Sequence, residues 1–108
     1  MATRPKTANT AAEDHSGPPS IRAILAQRGA RYGVFKQHAE VTQRFKNLLT
    51  EELVNREKLL EPSQQEALEM IFHKIGCIVN GDPNYSDSWR DIAGYAALVA
   101  DELDGVER

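Results

Sequence analysis

Two short acidic runs carry residue types at a spacing from which chemistry can be built. Glu66 and Glu69 stand three apart, and His73 follows one turn later. At about 100° per residue the three share one helix face, opposite an apolar stripe. Asp87 and Asp91 stand four apart, opposite a second stripe that contains Trp89, Ile92 and Ala96. On successive antiparallel helices the two acidic pairs would meet across a groove. Four carboxylates so placed suit Mg²⁺, a hard cation that takes oxygen ligands and keeps some of its water. The metal would bridge to phosphate oxygens, and a metal-bound water would be the nucleophile. Glu66, Glu69, Asp87 and Asp91 are therefore the expected metal ligands, and Glu66 and Glu69 the expected catalytic pair. Arg28, Arg31, Lys74 and Arg90 are the expected phosphate partners. A plainer reading stands beside this one: carboxylates opposite an apolar stripe are also what a solvated helix face looks like. Met70 and Cys77 on the Glu66 side, and Gly94, Tyr95 and Leu98 on the Asp87 side, favour partial burial. A buried carboxylate needs a partner or a metal.

The elements that would position these groups are helical. No stretch shows the two-residue alternation of a half-buried strand. Residues 1–19, rich in Ala, Thr, Pro and Gly, read as a disordered tail. Ser20 is the expected cap of a first helix over about 20–28, with Gly29 as its terminator. A connector, Ala30-Arg31-Tyr32-Gly33, leads to a second helix over about 34–55. Its core-facing side holds Val34, Phe35, His38, Val41, Thr42, Phe45, Leu48, Leu49 and Leu53. Residues 56–61 extend that helix or form the turn. A third helix spans about 62–80, with Pro62 in its first turn and a Ser63–Glu66 capping box as an alternative start. It is apolar on two sides, which requires burial on two sides. The turn-rich run Asn80-Gly81-Asp82-Pro83-Asn84 ends it. Ser86 is the expected cap of a fourth helix reaching about residue 103. The third and fourth helices form an antiparallel hairpin. The expected fold is an all-α, four-helix bundle-like domain over residues 20–108.

Composition narrows the partners. The 108-residue chain has 13 basic and 16 acidic groups, a net charge of -3. Residues 21–60 hold eight basic against four acidic groups, a balance of +4; residues 61–108 hold three against ten, a balance of -7. Opposite halves attract, within a chain or between copies. A nucleic-acid binder of this size would be basic overall, so nucleic acid is not the expected partner. No apolar run approaches the roughly 18 residues of a membrane span, and the N-terminus lacks the apolar stretch of a secretory signal. Cys77 is the single cysteine, which excludes an internal disulfide and a thiolate-only zinc site. It reads as a small core residue with no cationic neighbour to activate it. His38, inside an apolar face, reads as a satisfied core histidine, and Trp89 as core. Tyr32 reads as a packing and turn residue, or else as a stacking surface for a base. Aromatics make up only 6% of the chain, and a core this thin gains from association, so a homodimer or higher homo-oligomer is expected.

Three stretches resemble a known family when taken together. They are Ala30-Arg31-Tyr32-Gly33-Val34-Phe35, the run from Gln65 to Ile75, and Asn80-Gly81-Asp82-Pro83-Asn84-Tyr85-Ser86-Asp87-Ser88-Trp89-Arg90-Asp91-Ile92-Ala93-Gly94-Tyr95. They resemble small proteins of unknown function encoded by tailed bacteriophages and prophages. A second resemblance is to the all-α nucleotide pyrophosphohydrolases of the MazG type, which pair a Glu-Glu-x-x-Glu helix with a Glu-x-x-Asp helix around Mg²⁺. Gln65-Glu66-Ala67-Leu68-Glu69 matches the first pattern except at Gln65. Ser88-Trp89-Arg90-Asp91 matches the second except at Ser88, with Asp87 one position early. The resemblance implies a phage accessory protein in the cytoplasm of the bacterial host. It would bind a nucleoside phosphate, with Mg²⁺-dependent cleavage to monophosphate and pyrophosphate as a possible activity. The departures at Gln65 and Ser88 leave open a protein that sequesters a nucleotide signal without cleaving it, through Arg28, Arg31 and Tyr32. A helical adaptor for another protein is the third reading.

Overall fold

A computed structural model describes residues 20–108 of the chain, so the tail reading of residues 1–19 falls outside the described residues. Among the described residues four helices follow in order: α1 (Ile21–Tyr32), α2 (Phe35–Asn55), α3 (Pro62–Asn80) and α4 (Ser86–Leu103). No strand occurs among them, and the domain is all-α. Among the described residues no helix is long and apolar enough to cross a membrane.

Local chemistry explains the boundaries. Ser20 caps α1 as expected, its hydroxyl accepting from the Ala23 N–H at 3.1 Å. The helix does not end at Gly29. It runs through Ala30 and Arg31 to Tyr32 and stops at Gly33, whose φ of 82° only glycine adopts without strain. Gly29 is an interior glycine that α1 tolerates. At the end of α2 the backbone turns at Glu57, φ 56°. Glu57 N–H donates to Val54 and Lys58 N–H to Leu53, the paired bonds that close a helix when the intervening residue is left-handed. Residues 56–61 thus form the turn. Gly105 closes α4 in the same way, with φ 85°. The start of α3 is set by Glu61, not Ser63: Glu61 and Gln64 make a reciprocal capping box with Pro62 behind it. Tyr85, not Ser86, is the flanking residue of α4.

Packing centres on α3, which touches all three other helices. Its two apolar sides are taken by α2 and α4. The α3–α4 hairpin is antiparallel, and two contacts fix its register: Lys74 to Asp91 at 2.9 Å and Ser63 to Glu102 at 2.6 Å. Helix α4 packs on α3 alone. The result is an open layer of helices rather than a closed bundle. Burial is correspondingly slight. Ala67 and Cys77 are the buried apolar residues, and His38, Thr42 and Ser88 are buried beside them. Trp89 is not core: it is 55% exposed and its indole N–H donates to the Pro83 carbonyl at 2.9 Å. The core stripe of α4 has only one layer to pack against, and the ring lies beyond its edge.

A polar clasp joins the α1–α2 elbow to the α3–α4 turn. The Asn80 side-chain amide donates to the Tyr32 and Val34 carbonyls, each at 3.0 Å. The Asp82 N–H donates to the Arg31 carbonyl at 2.6 Å. Gly33 lies against Asn80 and Gly81 against Arg31 and Tyr32 so closely that a Cβ on either glycine would overlap backbone atoms of the other segment. Gly81→Ala is therefore expected to cost at least about 3 kcal/mol, because neither backbone can yield. Gly29→Ala, with no atom near its Cβ, should stabilise by about 0.5–1 kcal/mol as an ordinary helix-interior replacement. Thermal melts of the two variants check both signs.

Candidate functional site

The clasp holds α1 across the ends of α2 and α3 and leaves a cleft beneath it. The cleft has a volume of about 760 Å³, within the range that takes a small molecule. Arg28, Arg31 and Tyr32 enter it from α1, Phe35 and His38 from α2, and His73, Lys74 and Cys77 from α3. No lining residue is acidic. Arg28 and Arg31 form no ion pair among the described residues. Arg31 is steadied instead by Tyr85, donating to its hydroxyl at 3.2 Å with the guanidinium 4.7 Å above the ring centroid. Tyr32 meets the same Tyr85 ring edge-on at 6.2 Å.

Four expected phosphate or base contacts, Arg28, Arg31, Tyr32 and Lys74, thus gather in one place. Arg90 does not join them. It lies on the exposed side of α4, bonded to Ser86 at 3.0 Å and to Asp87 at 2.9 Å.

The expected metal ligands are spread along the hairpin. In its register Asp91 lies level with Lys74, Glu69 with Ala96 and Glu66 with Val99. Asp87 and Glu69 are thus about 13 Å apart along the axis at roughly 1.5 Å per residue. Each carboxylate has its own surroundings: Asp91 pairs with Lys74, Asp87 accepts from Arg90 and Tyr85, Glu69 accepts from Gln65 at 2.7 Å, and Glu66 is exposed. Among the described residues, the side chains whose ligand atoms converge in a group of three are His38, His73 and Cys77. His73 therefore does not sit with Glu66 and Glu69. It turns toward α2, its ring 4.5 Å from that of His38.

Charge states in the cleft follow burial and neighbours. Desolvation holds the His73 pKa below its ordinary value, helped by His38, Lys74, Lys46 and Arg28. Desolvation works against the Lys74 ammonium, but the hydrogen bond and charge of Asp91 outweigh it and raise its pKa. Cys77 does have a cation one turn away, Lys74. Burial nonetheless prevails and pushes the thiol up, which disfavours a free nucleophilic thiolate. His38 is satisfied as expected, its Nε2 donating to the His73 carbonyl at 2.9 Å.

Residue-by-residue reasoning does not bring His38, Phe35, His73 and Tyr85 to the site. The available signal is a pair of i, i+4 steps, His38/Thr42 and His73/Cys77, on helices whose apolar faces must meet.

The fold is thus a small all-α domain with an anion-attracting cleft at one end. The chain belongs to a family described as a domain of unknown function (DUF6378), whose model matches residues 20–103. No curated protein and no solved structure matches it.

The Lys74–Asp91 pair yields a prediction that separates an ion-pair carboxylate from a metal ligand. The Lys74 side chain is only 17% exposed, whereas that of Asp91 is 47% exposed. Asp91→Asn should destabilise the fold by about 1–2 kcal/mol at neutral pH, since it leaves a largely covered ammonium unpaired. The folded-state pKa of Lys74 is raised, so the pair's contribution is intact below pH 10.5 and is lost as pH rises through the higher folded value. Urea denaturation of wild type, Asp91→Asn, Lys74→Met and the double variant across pH 7–11 measures it.

Proposed function

We propose that the chain binds a nucleoside phosphate in the cleft between α1 and the α2–α3 seam. One observation carries this reading: in a chain whose acidic groups outnumber its basic ones 16 to 13, the cleft has three permanent cations and no carboxylate in its lining. Arg28 and Arg31 offer planar forks for phosphate oxygens, and Lys74 a point charge. Tyr32 and Phe35 supply an aromatic wall for a base. That wall favours a nucleotide over a bare anion. Cleavage through Mg²⁺ draws less support, because the carboxylates it needs lie outside the cleft and at different heights.

The chain binds without cleaving, in this reading, and acts by sequestering its ligand. A nucleotide at 100 times its Kd should stabilise the protein by about 2.7 kcal/mol, read as a rise in Tm. Arg28→Ala should weaken binding about tenfold or more, or at least about 1.4 kcal/mol, while Glu66→Gln leaves it unchanged. Chromatography after denaturing a loaded sample should return the nucleotide intact with Mg²⁺ present. Recovery of monophosphate and pyrophosphate, abolished by Glu69→Gln, would favour the hydrolase instead.

The working unit in this reading is a homodimer. Leu48 and Val54 on α2 and Leu98 and Leu103 on α4 are each at least half exposed, and α2 and α4 do not touch. A two-fold stack of two layers would cover these side chains. Light scattering should give twice the 12.0 kDa chain mass, and Leu98→Glu should halve it with helicity retained. A monomeric wild type would leave the apolar faces to another protein, as the adaptor reading holds.

A further inference from the structure

The floor of the cleft holds a cluster that the anion reading does not use. His38 and Cys77 face each other across the α2–α3 seam, with Nε2 and Sγ 3.6 Å apart. That is an ordinary sulfur hydrogen-bond distance, and it is also the spacing a shared zinc ion would impose. Two ligand atoms at about 2.05 and 2.3 Å from zinc, set at the tetrahedral angle, lie roughly 3.6 Å apart. His73 completes the group, with all three ligand atoms within 4.8 Å of one another. It is half-buried at the cleft surface, and an inward turn of roughly 1 Å would bring its ring to zinc-ligand distance.

A second observation points to the same spot. Thr42 Oγ1 is buried with no hydrogen-bond partner. It sits beside His38 at the close approach of the two helices, where a Cβ on Gly76 would meet it at 2.8 Å and the His38 ring at 3.0 Å. A buried hydroxyl left unpaired calls for a group that the protein itself does not provide.

We propose that His38, His73 and Cys77 form a site for one Zn²⁺ ion, its fourth position open to the cleft. Two imidazoles and one thiolate suit a borderline-soft cation, in contrast to the hard oxygen set of the acidic helices. An open fourth position marks a site that takes a water or a ligand atom rather than one closed for structure alone. On binding, Cys77 releases its thiol proton to solvent. The His38 proton moves from Nε2 to Nδ1, and the ring must turn away from the His73 carbonyl so that the freed Nε2 lone pair meets the ion.

The test uses the full chain, stripped with a chelator and titrated with metal alone. Zn²⁺ should bind at one equivalent per chain. Co²⁺ in its place should give the near-ultraviolet absorption of a thiolate–cobalt bond and the visible bands of a tetrahedral ion. Cys77→Ser should abolish the thiolate band, and both it and His73→Gln should weaken Zn²⁺ binding about 100-fold or more. A wild-type protein that binds less than one equivalent, or gives no thiolate–cobalt band, overturns the proposal whether or not the variants fold. So does a Cys77→Ser protein that is folded by circular dichroism and holds Zn²⁺ as tightly as wild type. Nucleotide binding that persists in the stripped protein leaves the cleft reading in place, so the two can fail separately.

Discussion

The α1–α2 elbow and the α3–α4 turn are held together by hydrogen bonds rather than by packing, and the cleft exists because of that. Helix α1 buries no residue of its own. Its place is set where it ends, by Asn80 donating to two carbonyls of the elbow and by the Asp82 N–H donating to Arg31. These bonds form only if two glycines let the backbones touch. A wall fixed at one end and only lightly packed along its length opens at lower free energy than a buried helix. The cleft thus has a rigid floor, the α2–α3 seam, and a compliant roof that carries Arg28 and Arg31. Such a roof can settle on a ligand, and the entropy lost in ordering α1 then subtracts from the affinity its arginines supply.

Charge reinforces this division. The acidic excess of residues 61–108 is carried mainly on α4, in the turn before it and in the residues that follow it. Where α3 meets α1, the ionised group of α3 is Lys74, and Asp91 on α4 holds it in place from behind. Arg31 is tied in turn to Tyr85, whose hydroxyl donates to Asp87 at 3.1 Å. The acidic helix therefore acts as scaffold for the cations of the cleft and contributes no charge to the cleft lining itself. A chain with a net negative charge can in this way present a locally positive surface.

The helices are legible from periodicity because each must bury a stripe, and the two-sided stripe of α3 marks it as the central element. The boundaries that differ from local expectation depend on partners distant in sequence or on competing caps. Gly29 and Gly33 are equivalent by local rules, and only contact with Asn80 selects Gly33 as the stop. Glu61 outcompetes Ser63 because Pro62 sits well one position later and Gln64 can reach back. Trp89 has the spacing of a core residue, but spacing cannot report that a third layer is missing. Spacing does show that the carboxylates of each helix share a side. Whether the two sides converge depends on axial register, and the Lys74–Asp91 and Ser63–Glu102 contacts set that register so that they do not. The basic cleft is half visible in the sequence, since Arg28, Arg31, Tyr32 and Lys74 each stand out there. What assembles them is the clasp, a tertiary contact between two turn-forming segments.

The composition of the interior bears on why the seam is built as it is. In so thin a layer, stability alone would favour apolar residues at every buried position, because each buried polar group must recover its lost hydration through hydrogen bonds. Yet the buried positions of α2 are His38 and Thr42, and Thr42 recovers nothing. Both face α3 at Gly76 and Cys77, where the helices approach most closely. A pair of apolar side chains there would pack the same gap without a desolvation cost. The stability forgone is concentrated at the floor of the cleft that also gathers Arg28 and Arg31, and not spread through the seam: further along it, Phe45 packs on Phe72 with ring centroids 5.6 Å apart. Polar residues placed against the energetic interest of the fold thus lie beneath the cleft and not beyond it.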